Sequence, residues 1–380
     1  MPAPPDVNPG INATLFSFHR GENGGESLKR VAVIPGDGVG PEVIAEAVQT
    51  LEAAQQMFGL SLSLTHFDWG AEKYLATGVT LPAGALEMLA RDFDAILSGA
   101  FGDGRVPDNK HAKDILLGMR TGLDLYINLR PIKLLEARLC PLAGRGPRDV
   151  DFVVLRENTE GMYVFMGGNF KKGSPDEVAT QEEINTRKGV ERIIVAAFEH
   201  ARANGRHKVT MSDKANVLTY GHDLWQRVFK EVAQRYPDIE SEHLYIDVLA
   251  MWMVLDPGRF DVIVTNNLFG DIITDLGAGL QGGLGMAASG NIHPGRVSLF
   301  EPVHGSAPQL AGKNVSNPIA AILSAAMMLE HLGYNDAAGA VEAAVAKSVS
   351  LGETTGDIGG KLSTTQAGEA IREYLMQAAR

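Results

Sequence analysis

Asp271 and Asp275 stand four residues apart in Phe269-Gly270-Asp271-Ile272-Ile273-Thr274-Asp275-Leu276. Read as the start of a helix, this stretch sends both carboxylates out from one face, where like charges cost roughly 0.2–0.5 kcal/mol unless neutralised. A hard divalent cation taking oxygen ligands would neutralise them; a solvated helix face is the plain alternative. Asp247, at the end of another apolar strand, is positioned to complete such a site. Arg120, Arg130 and Arg156 form a second set, each among apolar neighbours: Leu116-Leu117-Gly118-Met119-Arg120, Leu129-Arg130-Pro131 and Val153-Val154-Leu155-Arg156. Burying a guanidinium without an anion is costly. Three of them point to a small anionic ligand, because Arg grips carboxylate bidentately; internal pairing, such as Arg156 with Glu157, is the alternative. Lys214 lies just past a buried strand in Met211-Ser212-Asp213-Lys214-Ala215-Asn216, and Tyr163 follows Glu160-Gly161-Met162. A buried lysine beside cations has a lowered pKa and acts as a base, although each of these two residues, taken singly, also suits a structural role.

The elements that must position these groups follow from periodicity. Short apolar runs at 31–34, 93–97, 151–155, 208–211 and 261–265 read as buried strands, and helical patterns cover 189–203, 217–236, 319–332 and 337–349. Such alternation predicts an α/β fold with a largely parallel sheet. Gly36-Asp37-Gly38-Val39-Gly40 follows the first strand, and Pro41 suits the first turn of the next helix. A dinucleotide fingerprint fails there, because its third glycine would fall at Pro41; the stretch reads as a tight turn.

At ~150 residues per domain, a chain of 380 residues suggests two or three domains. Lys and Arg number 34 against 46 Asp and Glu, a net charge of −12, which argues against a general binder of nucleic acid or anionic membrane. Cys140 is the single cysteine, so an intrachain disulfide is excluded and a reducing, cytoplasmic location is expected. No apolar run reaches the ~18 residues of a membrane span. Residues 1–28 carry Pro2, Pro4, Pro5 and Pro9 and lack a secretory pattern; they read as a flexible extension.

Taken in order, the motifs are no longer independent. Ile34-Pro35-Gly36-Asp37-Gly38-Val39-Gly40-Pro41-Glu42, Leu129-Arg130-Pro131, Arg156-Glu157-Asn158-Thr159-Glu160-Gly161 and Asp213-Lys214-Ala215-Asn216 precede Asn267-Leu268-Phe269-Gly270-Asp271-Ile272-Ile273-Thr274-Asp275 and Glu301-Pro302-Val303-His304-Gly305-Ser306-Ala307-Pro308. This series resembles the β-decarboxylating dehydrogenases, a family that includes isopropylmalate, isocitrate, homoisocitrate and tartrate/malate enzymes. The likeness runs from about Arg30 to near the C-terminus.

The resemblance implies a non-Rossmann, three-layer, two-domain α/β fold with a mixed sheet. Residues 29–125 plus 282–380 would form a cofactor-side domain, and 126–281 the dimerisation and metal/substrate-side domain. It implies a homodimer with shared active sites and, as cofactors, NAD with Mg²⁺ or Mn²⁺. Arg120, Arg130 and Arg156 would clamp a substituted malate, while Asp247, Asp271 and Asp275 would hold the metal; Lys214 and Asp247 would come from the partner chain. Glu301, His304, Gly305, Ser306, Ala307, Gln309 and Asn317 would line the cofactor site. Lys214 would take the C2 hydroxyl proton, and Tyr163 would return one to the enol after CO₂ leaves.

Substrate choice should lie just ahead of Arg120. The isocitrate enzymes carry Ser six residues and Asn four residues before this arginine, where this chain has Asp114 and Leu116. Leu116-Leu117 matches the pair that receives the isopropyl group in the isopropylmalate enzymes, and burying three carbons is worth about 2 kcal/mol, a tens-fold preference. The expected reaction is therefore oxidative decarboxylation of (2R,3S)-3-isopropylmalate to 4-methyl-2-oxopentanoate, in leucine synthesis. Lys113, where those enzymes have Glu, leaves homoisocitrate or tartrate/D-malate as alternatives. Gln309 stands where NAD enzymes carry Asp, so NAD is favoured with weakened discrimination against NADP. A non-catalytic regulatory subunit is the alternative from another class, opposed by retention of Lys214, Tyr163 and all three aspartates.

Overall fold

The computed structural model describes residues 28–377. The expected N-terminal extension therefore lies outside the described residues, except for Leu28. The strands are β1 (Lys29–Ile34), β2 (Leu62–His66), β3 (Ala95–Ser98), β4 (Ile127–Lys133), β5 (Asp151–Glu157), β6 (Gly167–Phe170), β7 (Val178–Gln181), β8 (Lys208–Asp213), β9 (Glu240–Tyr245), β10 (Val262–Thr265), β11 (Ala288–Ile292) and β12 (Ser298–Pro302). Ten of them form one sheet in the order β2-β1-β3-β12-β11-β4-β5-β10-β8-β9, and β6 pairs with β7 separately. The sheet is mixed: β11 runs antiparallel to β12 and β4, β4 runs antiparallel to β5, and the flanking pairs are parallel. Parallel strands covered on both faces need near-continuous apolar runs, as in the fully buried stretches 31–34, 95–98 and 262–265.

Side chains alternate across the strands, and the two faces of the sheet differ. One face carries a single continuous core built on Val31, Leu97, Ile127, Val153, Leu155 and Phe300, covered by helices such as Arg187–Ala203, Ile319–His331 and Asn335–Leu351. On the other face the apolar layer is split. One cluster centres on Ile34, Ile96, Ile115 and Met119, and the other on Ile132, Phe152, Val154 and Ile273. Between the two clusters that face of β12, β11, β4 and β5 presents buried polar groups instead: Glu301, Ser289, Asn291, Asn128, Arg130 and Arg156. Buried polar side chains need partners, so this gap is where chemistry is concentrated.

Two local expectations need correction. The helix expected over 217–236 is Gly221–Ala233, because the amides of Val217 and Leu218 turn back onto the Lys214 carbonyl at 2.9 and 2.8 Å. Asp247 does not end a strand; it sits in the first turn of helix Ile246–Leu255, a favourable place for an anion near the helix N-terminus. Among the described residues no helix is long and apolar enough to cross a membrane.

Candidate active site

Arg130 leaves the middle of β4 and Arg156 the end of β5, and both meet helix Asn267–Leu280. Asn266 caps this helix, its side-chain oxygen accepting the Phe269 amide at 2.8 Å, in the ordinary manner of an N-cap. Arg156 is 1% exposed and donates to Asp271 at 2.5 Å and to Asn267 Oδ1 at 2.6 and 3.0 Å. Its expected alternative partner, Glu157, accepts instead from Thr159 and Glu160. Arg130 donates to Thr274 Oγ1 at 2.6 Å and lies 3.5 Å from Asp271. Gly270 makes the close approach possible, since a Cβ there would lie 2.5 Å from Arg156 Cγ.

The third arginine arrives from the opposite apolar cluster. Arg120 lies in the short helix Gly118–Gly122 and donates to Glu301 of β12 at 2.9 Å. Glu301 also accepts from Asn291, which accepts from Asn128 and Asn158 at 3.1 and 2.9 Å. Glu301 was expected toward the cofactor, but here its carboxylate engages Arg120. Asn128 and Asn158 sit beside Arg130 and Arg156 in sequence, whereas Asn291 lies in β11 with no such signal.

Not every guanidinium donor in this gap is used. Burial, followed by the charge of Arg130, brings the Arg156 guanidinium down to about 9. Arg130 is lowered chiefly by burial, with Asp271 opposing and Arg120 adding to the effect. The Nε atoms of Arg120 and Arg130 are buried and meet no acceptor among the described residues. Buried donors without acceptors suit a carboxylate ligand.

Asp271 accepts the Tyr163 hydroxyl at 2.8 Å, and the Arg156 guanidinium lies 5.0 Å from the Tyr163 ring centre. Burial alone would raise the Asp271 carboxyl, but Arg156 and Arg130 outweigh it and hold it below its usual range. Asp275, one turn on, is raised by burial and by the Asp271 charge. Two hard-oxygen carboxylates, one of them destabilised by the other, fit a divalent cation. They form only part of a cage, because among the described residues no three His, Cys, Asp or Glu side chains gather closely enough to hold a metal ion.

The remaining members, Lys214 and Asp247, pair with each other at 2.5 Å. Lys214 was expected beside cations, whereas its side-chain neighbours in this chain are the Asp247 carboxylate and, at 5.7 Å, the Tyr245 ring. The pair is assembled because β9 lies beside β8, which brings the starts of the following segments together.

Leu116 and Leu117 are half-buried in a π-helical turn, Lys113–Leu117, that runs directly into the helix carrying Arg120. Such turns are rare and cluster at functional sites. Lys113 is exposed, and Asp114 is already engaged by Lys110 at 2.5 Å and Thr80 at 3.3 Å.

The expected cofactor loop abuts the β1 turn. The Val39 amide donates to the Ser306 carbonyl at 2.8 Å, and Gly38, at φ +60°, passes so close that a Cβ would lie 1.9 Å from that oxygen. His304 Nδ1 is 3.0 Å from the Gly305 carbonyl and must donate to it, leaving Nε2 as an acceptor. That Nε2 is buried and without a partner among the described residues. Burial also lowers the His304 pKa, keeping the ring neutral. Asn317 accepts the Ile319 amide and donates to Asp357, at 3.0 and 3.1 Å. Gly305 and Gln309 are exposed, Ser306 is buried, and Ala307 takes a left-handed conformation. An unfilled acceptor beside exposed backbone fits the adenosine half of a dinucleotide.

Comparison with known proteins matches residues 30–371 to the isocitrate/isopropylmalate dehydrogenase family. A 3-isopropylmalate dehydrogenase of Thermobifida fusca is 50% identical, with the match spanning 92% of this chain and 98% of that protein. Another, from Mycobacterium avium, is 49% identical over 91% of this chain and 100% of its own. Among solved structures, an isocitrate dehydrogenase from Methylococcus capsulatus superposes with a TM-score of 0.84 at 38% identity, covering 92% and 99% of the two chains.

Proposed function

The chain belongs to the isocitrate/isopropylmalate dehydrogenase family, and from that premise we propose that it is an NAD- and divalent-metal-dependent 3-isopropylmalate dehydrogenase. It oxidises and decarboxylates (2R,3S)-3-isopropylmalate to 4-methyl-2-oxopentanoate, a step of leucine synthesis. The observation that carries this reading is the convergence of Arg130 and Arg156 on Asp271, with Arg120 close enough to shift both guanidiniums. Isocitrate is disfavoured because Asp114 and Leu116 stand where its extra carboxylate would need donors.

In this reading Arg120, Arg130 and Arg156 orient the malate carboxylates, and Leu116 and Leu117 receive the isopropyl group. Asp271 and Asp275 hold Mg²⁺ or Mn²⁺ together with Asp247 of a second copy in a homodimer, which also contributes Lys214. When bound, the ion supplies Lewis acidity at the C2 hydroxyl and the nicotinamide supplies a hydride acceptor. Lys214 accepts the C2 hydroxyl proton. Tyr163 is raised by burial and then by the Asp271 charge, so at neutral pH it holds a proton to return to C3 after CO₂ departs. His304 Nε2, the 304–307 backbone, Gln309 and Asn317 receive the adenosine half of NAD. Residues 29–125 plus 282–380 act as the cofactor-side domain and 126–281 as its counterpart, in the cytoplasm. Steady-state kinetics on isopropylmalate, isocitrate, homoisocitrate and unsubstituted malate test this, with NAD and NADP in turn. The highest kcat/KM is expected for isopropylmalate with NAD; a best rate on unsubstituted malate defeats the assignment.

A further inference from the structure

His222 is fully buried, carries no role in the chemistry above, and touches both the Lys214 backbone and the start of the helix that bears Asp271 and Asp275. Its Nδ1 lies 2.7 Å from the Lys214 backbone nitrogen. A backbone N–H donates only, so Nδ1 is the acceptor and the ring carries a proton on Nε2. That Nε2 lies 3.1 Å from both Glu183 Oε1 and Asn266 Nδ2. An amide nitrogen is also a donor, so the Nε2 proton goes to Glu183, and Asn266 donates to the same carboxylate oxygen at 2.9 Å. Asn266 is the cap of the helix that bears Asp271 and Asp275, and the His222 ring meets Phe269 of that helix edge-to-face at 5.4 Å. Glu183 is raised by burial, but its bonds to the imidazole and the amides prevail and hold it below its usual range.

We propose that His222 is a positioning residue that fixes the Lys214 peptide and, through Glu183 and Asn266, ties it to the N-terminus of the aspartate helix. The inference rests on the reading of Lys214 as the proton acceptor. Because that reading gives Lys214 to the neighbouring subunit and the aspartates to the subunit's own site, one imidazole then couples the two active sites of a dimer. Without it both segments still fold from their own strands, but the lysine's distance to the substrate hydroxyl is no longer set, and catalysis is far more sensitive than binding to such displacement.

The test uses the full-length enzyme with isopropylmalate, NAD and Mg²⁺. His222→Leu removes the acceptor and is expected to lower kcat about 10–100-fold while leaving the malate KM within about threefold. In His222→Asn the side-chain oxygen lies near the former Nδ1 and accepts the Lys214 amide, and kcat is expected to recover to within about fivefold of wild type. Should His222→Leu fail to fold, Glu183→Ala carries the test: with nothing to hold the proton on Nε2, kcat falls while KM stays. The proposal is overturned if His222→Leu matches wild-type kcat, if His222→Asn is no better than the leucine variant, or if Glu183→Ala is fully active. Lys214→Met separates the two layers, since a fully active Lys214→Met enzyme overturns the role of Lys214 itself, whatever His222 does.

Discussion

Tyr163 and Asp275 respond to the same carboxylate, Asp271, in different ways. Tyr163 donates to it at 2.8 Å, and Tyr163→Phe removes only that hydroxyl. Loss of a positioned acid costs about 10²–10⁴-fold in rate; kcat should fall within that range with KM little changed, as initial rates will show. Asp275 pays for its proximity to Asp271. Its folded pKa lies above the ordinary carboxylate value, so its contribution to stability is present below that value and is lost as pH rises through the folded pKa. At neutral pH Asp275→Asn should therefore raise the melting temperature in EDTA. Added Mg²⁺ should stabilise the wild type, by about 2.7 kcal/mol at a hundredfold excess over Kd, and leave the variant nearly unshifted. Asp271 has the opposite sign: its lowered pKa contributes stability that is present above the usual carboxylate value and is lost as pH falls through the folded pKa.

Among the elements, the segment from Lys110 to Gly122 would join substrate choice to charge in the proposed reading, because its π-helical turn carries Leu116 and Leu117 and its last turn carries Arg120. Leu117→Ala removes three carbons, worth about 2 kcal/mol at ~0.8 per methylene. The preference for isopropylmalate over unsubstituted malate should drop tens-fold while the rate on malate itself stays close to wild type, measured as the ratio of kcat/KM values. These elements also show what the sequence makes legible. Arg130, Arg156, Asp271 and Asp275 could be found because apolar runs mark their strands and a four-residue spacing marks one helix face. The Arg120–Glu301 pair could not, since its members are 181 positions apart and meet only because β12 was inserted between β3 and β11. Asp247 reads from sequence as a strand end for a related reason: edge strand β9 is only half-buried and helix Ile246–Leu255 is apolar on most of its surface, so periodicity gives no boundary between them.

Across the whole molecule, that helix leaves Met251, Val254 and Leu255 exposed, with Ile272 60% exposed on the aspartate helix. Exposed apolar side chains on two touching helices suit an interface, and one of these helices carries Asp271 and Asp275. If the proposed homodimer pairs through this face, changing Met251 and Leu255 together to aspartate should halve the sedimenting mass and cut turnover by at least about a hundredfold; a variant of unchanged mass and full activity would count against a shared site. The two-faced sheet carries a further lesson. In β4, Arg130 faces the gap while Leu129 and Ile127 belong to the opposite core, and in β5 the same alternation holds for Arg156 and Leu155. Loss of one residue within either strand would turn a guanidinium into hydrocarbon and a leucine toward the anion, undoing anchor and scaffold in a single slip. Evolution can therefore retune this enzyme through its loops and the turn before Arg120, but the spacing along those two strands is closed to insertion or deletion.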